Sequence, residues 1–404
     1  MRARILLLER VVLLEKSDLA GGASGRSGGV VHQQDDRREV AGMARDSLRF
    51  YETFRSRTGR SCGFRRSGVL TIATGARGEA VEKNAEMLSS IGIDVQVIRA
   101  DEIRERVPGL CVDPGTVGVF ETGGGYIEPE RTIQSFAALG RFYGAATRLG
   151  VEVHDLHIES GRVVGASTSE GDYETDQLVL SAGPWLQRIV ERAGIDLPLR
   201  SVRTEHHYLA TPATGDASGD GDDSITREVS WTLEESGVRA IPTDEELEAR
   251  FGNDPTKQPH IPHPVVFDLD QQICVRPDPE SGRVRIGRLG FEEADVLTDP
   301  DDLAEEVSLE SRQALRASAE RLFPHFADYP DLSSHATWCT LTTDGRGLAG
   351  AIPGVEGLFV TSGFTNHDFH LAPSIGEGLA QMLRSEPVSA FDPEYFTPGR
   401  FATT

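Results

Sequence analysis

Three stretches of this chain combine residue types that could do chemistry. The first is Gly363-Phe364-Thr365-Asn366-His367-Asp368-Phe369-His370-Leu371-Ala372-Pro373, which runs through Ser374 and Gly376 into a helical pattern. Two imidazoles and a carboxylate sit here beside a Gly-containing turn, and imidazole is the side chain that exchanges a proton near neutral pH. A helix that starts after such a turn points its positive end at an electron-rich group. The i, i+3 spacing of His367 and His370 would also suit a metal ion, but no third ligand accompanies them, so no metal site is expected. The second stretch is Ala23-Ser24-Gly25-Arg26-Ser27-Gly28-Gly29-Val30, small residues around one Arg. Small residues let backbone N–H groups come close to a diphosphate or a planar ring. Arg26 has a plainer reading as a brace against a carboxylate. The third stretch, Val11-Val12-Leu13-Leu14-Glu15-Lys16, is an apolar run closed by an acid. In dinucleotide-binding folds an acid at that place accepts hydrogen bonds from ribose hydroxyls.

These stretches need elements to position them. Val11 to Leu14 reads as a buried parallel strand and 17–32 as a loop. Residues 36–57 have helical periodicity, with Val40, Met43, Ala44, Leu48 and Tyr51 on one side. A strand is expected at 67–73, a helix near 77–92 and another over 130–149. Short strands follow at 151–153, 162–168 and 177–181, then the turn Ala182-Gly183-Pro184-Trp185. Residues 211–260 carry 12 acidic and 4 basic residues and read as a solvated insertion. A strand pair near 264–289 precedes an acidic helical stretch reaching from about 292 to 322. The segment 335–385 returns to strand, Gly-rich turn and helix. Nucleotide-type segments are thus interrupted twice, which makes the domains discontinuous in sequence.

Composition limits the rest. The 404 residues carry 41 basic and 64 acidic side chains, a net charge of −23. Such a chain repels phosphate backbones and anionic lipid, so neither nucleic acid nor a membrane surface is an expected partner. Of the basic residues only Lys16, Lys83 and Lys257 are Lys. An acidic, Lys-poor surface resembles that of proteins from salt-loving cytoplasm, where salt screens the self-repulsion. Codon bias toward Arg is the plainer reading. Cys62, Cys111, Cys274 and Cys339 are widely spaced and form no metal or disulfide pattern. Glu9 and Arg10 interrupt the first apolar run, and none approaches the roughly 18 residues of a membrane helix. A cytoplasmic protein is expected.

Taken in order, "VVLLEKSDLAGGASGRSGGVVHQ", "GGYIEP", "GRVVGASTSEGDYETDQLVLSAGPW" and "TTDGRGLAGAIPGVEGLFVTSGFTNHDFHLAPSIGEGLA" resemble the FAD-dependent D-amino-acid oxidase/sarcosine oxidase superfamily, nearest its sarcosine oxidase β-subunit-like branch. The resemblance implies an α/β protein. It would have a Rossmann-like FAD-binding domain (1–75, 130–190, 335–404) and a discontinuous α+β substrate domain on an antiparallel or mixed sheet (76–129, 191–334). It implies that Glu15 binds ribose with Lys16 beside it, and that Ser24, Arg26, Ser27, Gly28, Gly29 and Val30 line the diphosphate and flavin. Val153 would present backbone to the adenine, and Ala182, Gly183 and Trp185 would close over the cofactor. Gly363, Phe364, Phe369 and Leu371 would face the flavin ring. The flavin-linking Cys of monomeric members falls at Thr337, so a non-covalent FAD is implied. His370 stands where those members carry a Lys, with His367 and Asp368 beside it as further catalytic candidates. His370 would accept the proton of the substrate ammonium.

Only 14 residues precede Glu15 and none is Gly, so the superfamily's GxGxxG unit does not fit ahead of it. The expectation is an N-terminally shortened domain in which FAD binding is doubtful. The implied function is oxidation of a small amine, N-methyl amino acid or D-amino acid by hydride transfer to flavin, with room for other subunits. Arg66, Arg276 and Arg346 are candidates to clamp a substrate carboxylate. The alternatives are a 2-hydroxy-acid or glycerol-3-phosphate type dehydrogenase and a non-catalytic assembly partner.

The charge balance carries its own prediction. Unfolding temperature should climb as KCl is raised to molar levels, because carboxylate repulsion is screened. A melting temperature unchanged across that range would contradict it.

Overall fold

A computed structural model describes residues 11–211, 263–365 and 368–401. The acidic insertion expected at 211–260 falls outside them apart from its first residue, and His367 also lies outside.

Alternating side chains build the principal sheet, which has nine strands. In spatial order they are β17 (Val296–Leu297), β13 (Leu199–Ala210), β16 (Arg283–Arg288), β15 (Ile273–Asp278), β14 (Val265–Asp268), β4 (Val69–Ala73), β6 (Val117–Glu121) and β5 (Val95–Arg99). The long strand β18 (Asp331–Thr342) pairs with the other side of β13. Every pairing is antiparallel except β14 with β4. Leu70, Ile72, Val266, Val275, Val284, Ile286 and Leu209 are buried in one cluster with residues of the helix α6 (Leu309–Leu322). Period two then obliges the residues between them, Cys274, Arg276, Arg285, Gly287, His206 and Tyr208, to occupy the opposite face.

A second group of elements is parallel in part. β1 (Val12–Glu15) pairs in parallel with β8 (Ala146–Leu149). β12 (Leu178–Leu180) pairs in parallel with β20 (Leu358–Ser362), whose other neighbour is β19 (Leu348–Ala351), antiparallel to it. The hairpins of β9 (Val153–Glu159), β10 (Arg162–Thr168) and β11 (Gly171–Glu174) form a meander. β2 (Val30–Val31), β7 (Gly125–Tyr126) and β3 (Arg65–Arg66) make a small sheet beneath the Gly-rich loop. Helices α1 (Arg38–Thr58), α2 (Gly75–Ser90), α3 (Ala100–Arg106), α4 (Pro129–Phe142), α5 (Leu186–Arg192), α7 (Asp368–Leu383) and α8 (Pro393–Phe396) complete the α/β fold.

Three expectations change. The helix predicted over 130–149 ends at Phe142, because Gly144 adopts φ +96°, and the chain then forms β8 beside β1. The acidic stretch from 292 is not helical until Leu309. Pro300 and the side-chain cap of Asp299 hold it in short 3₁₀ turns instead. β1 is parallel as expected but not buried: Val11, Val12 and Leu13 are 58%, 39% and 49% exposed. Among the described residues β1 has β8 as its one partner strand.

The two groups meet at β2. Gln33, just beyond it, donates from its backbone N (3.0 Å) and from Nε2 (2.8 Å) to the carboxyl of Glu121 at the end of β6. Glu121 is fully buried, and burial pushes its pKa up to about 7 despite those donors. The native state therefore binds more protons than the unfolded chain between the ordinary Glu value and about 7. Its contribution to stability is full below that window and lost as pH rises through it. Stability measured by urea unfolding should fall from pH 5 to pH 8, and Glu121→Gln should flatten that slope. A slope unchanged in the variant would place its origin elsewhere.

Candidate active site

The loop that crosses from β1 to β2 lies over the polar face of the principal sheet and encloses a cavity of about 80 Å³. Ser27, Gly28, Gly29 and Val30 form one wall. Phe267, Cys274, Arg276, Arg285, Gly287 and His206 form the other, each from a position that alternates with the apolar core. Phe369 of α7 and Leu289 close it. The loop needs its glycines. Gly29 has φ +60°, and a Cβ there would come 2.5 Å from the carbonyl oxygen of Ile127.

Arg276 ties loop to sheet. Its Nη1 donates to the carbonyl oxygens of Gly28 (2.8 Å) and Ile127 (3.2 Å), and its Nη2 lies 3.3 Å from Asp278. Asp278 is fully buried and also receives Arg283 Nε at 2.8 Å. Burial works against both charges. The two guanidiniums outweigh it at Asp278 and hold that carboxyl below its usual range, and Asp278 with Glu128 keeps Arg276 protonated.

Arg285 differs. It is 4% exposed, and its Nη2 donates to the carbonyl oxygen of Arg26 at 2.8 Å. Among the described residues no carboxylate pairs with it. Burial lowers its pKa, and neighbouring Arg276 and Arg283 lower it further, while Tyr208 opposes them. A guanidinium held dry beside a cavity without a counter-charge is an anion site by its chemistry. His206 stands on the next strand, opposite Gly287 in register. Its imidazole is held neutral first by burial and then by Arg285, His335 and Arg276.

Some expected residues lie at this cavity and others do not. Ser27 to Val30 and Phe369 line it. His370 is 1% exposed and packs its ring on His32, with centroids 4.4 Å apart, and His32 in turn meets Phe267. Tyr51 Oη donates to the carbonyl oxygen of Phe369 at 2.7 Å, which fixes the first turn of α7. Asp368 begins that helix. Gly363 turns the chain with φ +77°, but Phe364 and Leu371 belong to the apolar cluster between α1, α7 and α8. Glu15 accepts from the backbone N of Ser17 at 2.9 Å, Val153 opens β9, and Ala182 and Gly183 form the turn after β12.

Lys16, Arg26 and Trp185 gather on the acidic segment that was expected to be helix. Arg26 Nη1 is 2.7 Å from Glu305, Lys16 Nζ is 3.4 Å from Asp301, and Trp185 Nε1 donates to Asp301 at 2.7 Å. The three candidates for a carboxylate clamp separate in the same way. Arg66 pairs with Glu52 and Arg346 with Asp344, both toward solvent, whereas Arg276 lines the cavity but is matched by Asp278. Sequence reasoning missed Arg285, His206 and Cys274. Alternation in Arg283-Val284-Arg285-Ile286-Gly287 was the signal available for the first.

Residues 3–382 match the family model described as FAD dependent oxidoreductase, and the chain belongs to that family. It is 26% identical over 387 residues to 4-methylaminobutanoate oxidase (formaldehyde-forming) of Paenarthrobacter nicotinovorans, covering 93% of this chain and 40% of that protein. It is 26% identical over 202 residues to mitochondrial dimethylglycine dehydrogenase of Mus musculus, covering 50% of this chain and 23% of that protein. The chain therefore spans less than half the length of these curated relatives. Its fold superposes on L-proline dehydrogenase from P. horikoshii with a TM-score of 0.78 at 18% identity, covering 97% of this chain and 91% of that one. Among the described residues no helix is long and apolar enough to cross a membrane.

Arg276→Met should cost about 3–5 kcal/mol, because it leaves Asp278 buried with half its counter-charge and frees the loop carbonyls. Urea unfolding checks this. A loss below about 1 kcal/mol would show that the tie does not hold the loop.

Proposed function

We propose that this member of the FAD-dependent oxidoreductase family oxidises a small secondary or tertiary amine that carries a carboxylate. The observation that supports this most is Arg285, a buried guanidinium that faces the cavity without a carboxylate partner among the described residues. Both curated relatives above are named for N-methylated amino acids, which favours an amine over a 2-hydroxy acid or glycerol 3-phosphate.

The residues present fit the flavin. Gly28 leaves the loop wall bare on the side that faces Arg285, and Ser27 Oγ receives the Gly29 N–H and so shapes that turn. Ser24, Arg26 and Ser27 to Val30 would hold the flavin end. Glu15, Lys16, Val153, Ala182, Gly183 and Trp185 would hold the adenosine end. The chemistry FAD supplies when bound is acceptance of a hydride from the carbon beside the substrate nitrogen, after which the imine product hydrolyses. The chain's own part is positional. Arg285 holds the substrate carboxylate, and Val30, Phe267, Leu289 and Phe369 keep water from the reacting carbon. His370 packs on His32 in the first turn of α7. The acidic, Lys-poor composition supports a second reading, a cytoplasm rich in salt.

Arg285→Met should keep its flavin absorbance while reduction by N-methylglycine slows by about 10²-fold or more at subsaturating substrate. A carboxylate-free N-methyl amine of similar size should be oxidised by both proteins at similar rates. Equal rates with N-methylglycine, followed by stopped-flow absorbance, would sink the carboxylate site.

A further inference from the structure

Arg285 and His206 stand on adjacent strands and face the same cavity. Gly287 lies opposite His206, and a Cβ at that position would approach within 3.0 Å of His206 Nδ1. The missing side chain leaves Nδ1 open. That atom is buried and has no hydrogen-bond partner among the described residues, in a residue 8% exposed. A buried nitrogen left so costs stability unless a ligand satisfies it. We propose that His206 is the catalytic base, accepting the ammonium proton of the substrate at Nδ1 while Arg285 holds the substrate carboxylate. This rests on the carboxylate reading of Arg285.

The step moves one proton and no electrons. An N–H bond of the substrate ammonium breaks and its electron pair stays on nitrogen, which needs it to release hydride from the adjacent carbon. The proton forms a new N–H bond at Nδ1, with Nε2 already protonated in the accepting tautomer. The groups facing His206 decide when it can do this. They are Arg285 on β16, Arg276 on β15, His335 on β18 and Tyr208 on its own strand. Arg276 is already neutralised by Asp278, and His335 is itself held neutral by burial and nearby arginines, at about 4. Arg285 is the charge that substrate changes. A carboxylate docked on it cancels the repulsion on His206, so the imidazole gains basicity once an acid occupies the site. The base is therefore armed by the anionic end of its own substrate.

The test uses (methylthio)acetate, the thioether analogue of N-methylglycine, which has the carboxylate but no proton to give. Isothermal titration of the FAD-loaded protein near pH 6, in two buffers of different ionisation enthalpy, should show uptake of a large fraction of a proton. Affinity should fall as pH rises. His206→Asn and His206→Gln should still bind the ligand without that uptake, and flavin reduction by N-methylglycine should slow by about 10²-fold or more. Uptake that persists in both variants, or none in the parent protein, overturns the proposal and leaves the carboxylate site standing. No binding by the parent protein removes both. Variants that melt like the parent and reduce flavin at its rate also overturn it.

Discussion

One buried ion pair, Arg276 with Asp278, anchors the glycine loop to the sheet on which the cavity is built. It lies in the principal sheet, yet its outward hydrogen bonds go to carbonyls of two other segments, at Gly28 and Ile127. Removing charges from water is costly, and the pair offsets that cost by filling its donor positions with backbone oxygens. A planar fork that can reach two carbonyls and a carboxylate at once is an arginine property, and a lysine could not reproduce it. The Arg285 bond to the Arg26 carbonyl and an apolar cluster that joins Val30 and Tyr126 to Val69, Val265 and Phe267 hold the sheet and the glycine loop together beside this pair. The cavity lies between them.

The parts of the chain that bear the family likeness were legible because they are local. Small residues in one loop and a Gly turn before a helix announce themselves within a dozen positions. α1 was legible for a similar reason, since Val40, Met43, Leu48 and Tyr51 repeat at helical spacing and are all buried. The sheet side of the cavity was not legible as a wall. Its members come from β13, β14, β15 and β16, and only the pairing register brings Arg285 and Gly287 beside His206. The acidic stretch from 292 misled because its charge pattern suits a helix, while Pro300 and the Asp299 cap favour turns. Burial of β1 was inferred from apolar residues alone, and an apolar run says nothing about how many strands flank it.

The acidic segment has a use that its composition hides. Asp301 and Glu305 gather Lys16, Arg26 and Trp185, and Arg188 joins Asp301 at 2.8 Å. Trp338 adds a hydrogen bond from its indole to the carbonyl oxygen of Pro300 at 2.7 Å. The segment therefore clasps the end of β1, the glycine loop and the turn after β12 from one side. In a chain of strongly negative charge, these carboxylates are matched by cations from three separate segments.

The alternation of the principal sheet has a consequence for how this enzyme could change. On the strands of the cavity wall, His206, Phe267, Cys274, Arg276 and Arg285 are each flanked in sequence by residues whose side chains point to the opposite face. The strand positions that line the cavity and the positions that keep the sheet folded form two interleaved sets. Substitutions at Phe267 or Cys274 can accumulate without disturbing Val266 or Val275. A wall arranged this way can change its lining through single steps that leave the apolar core in place. Arg276 is the exception, since it belongs to both sets, and a lineage exploring new substrates would be expected to leave it untouched.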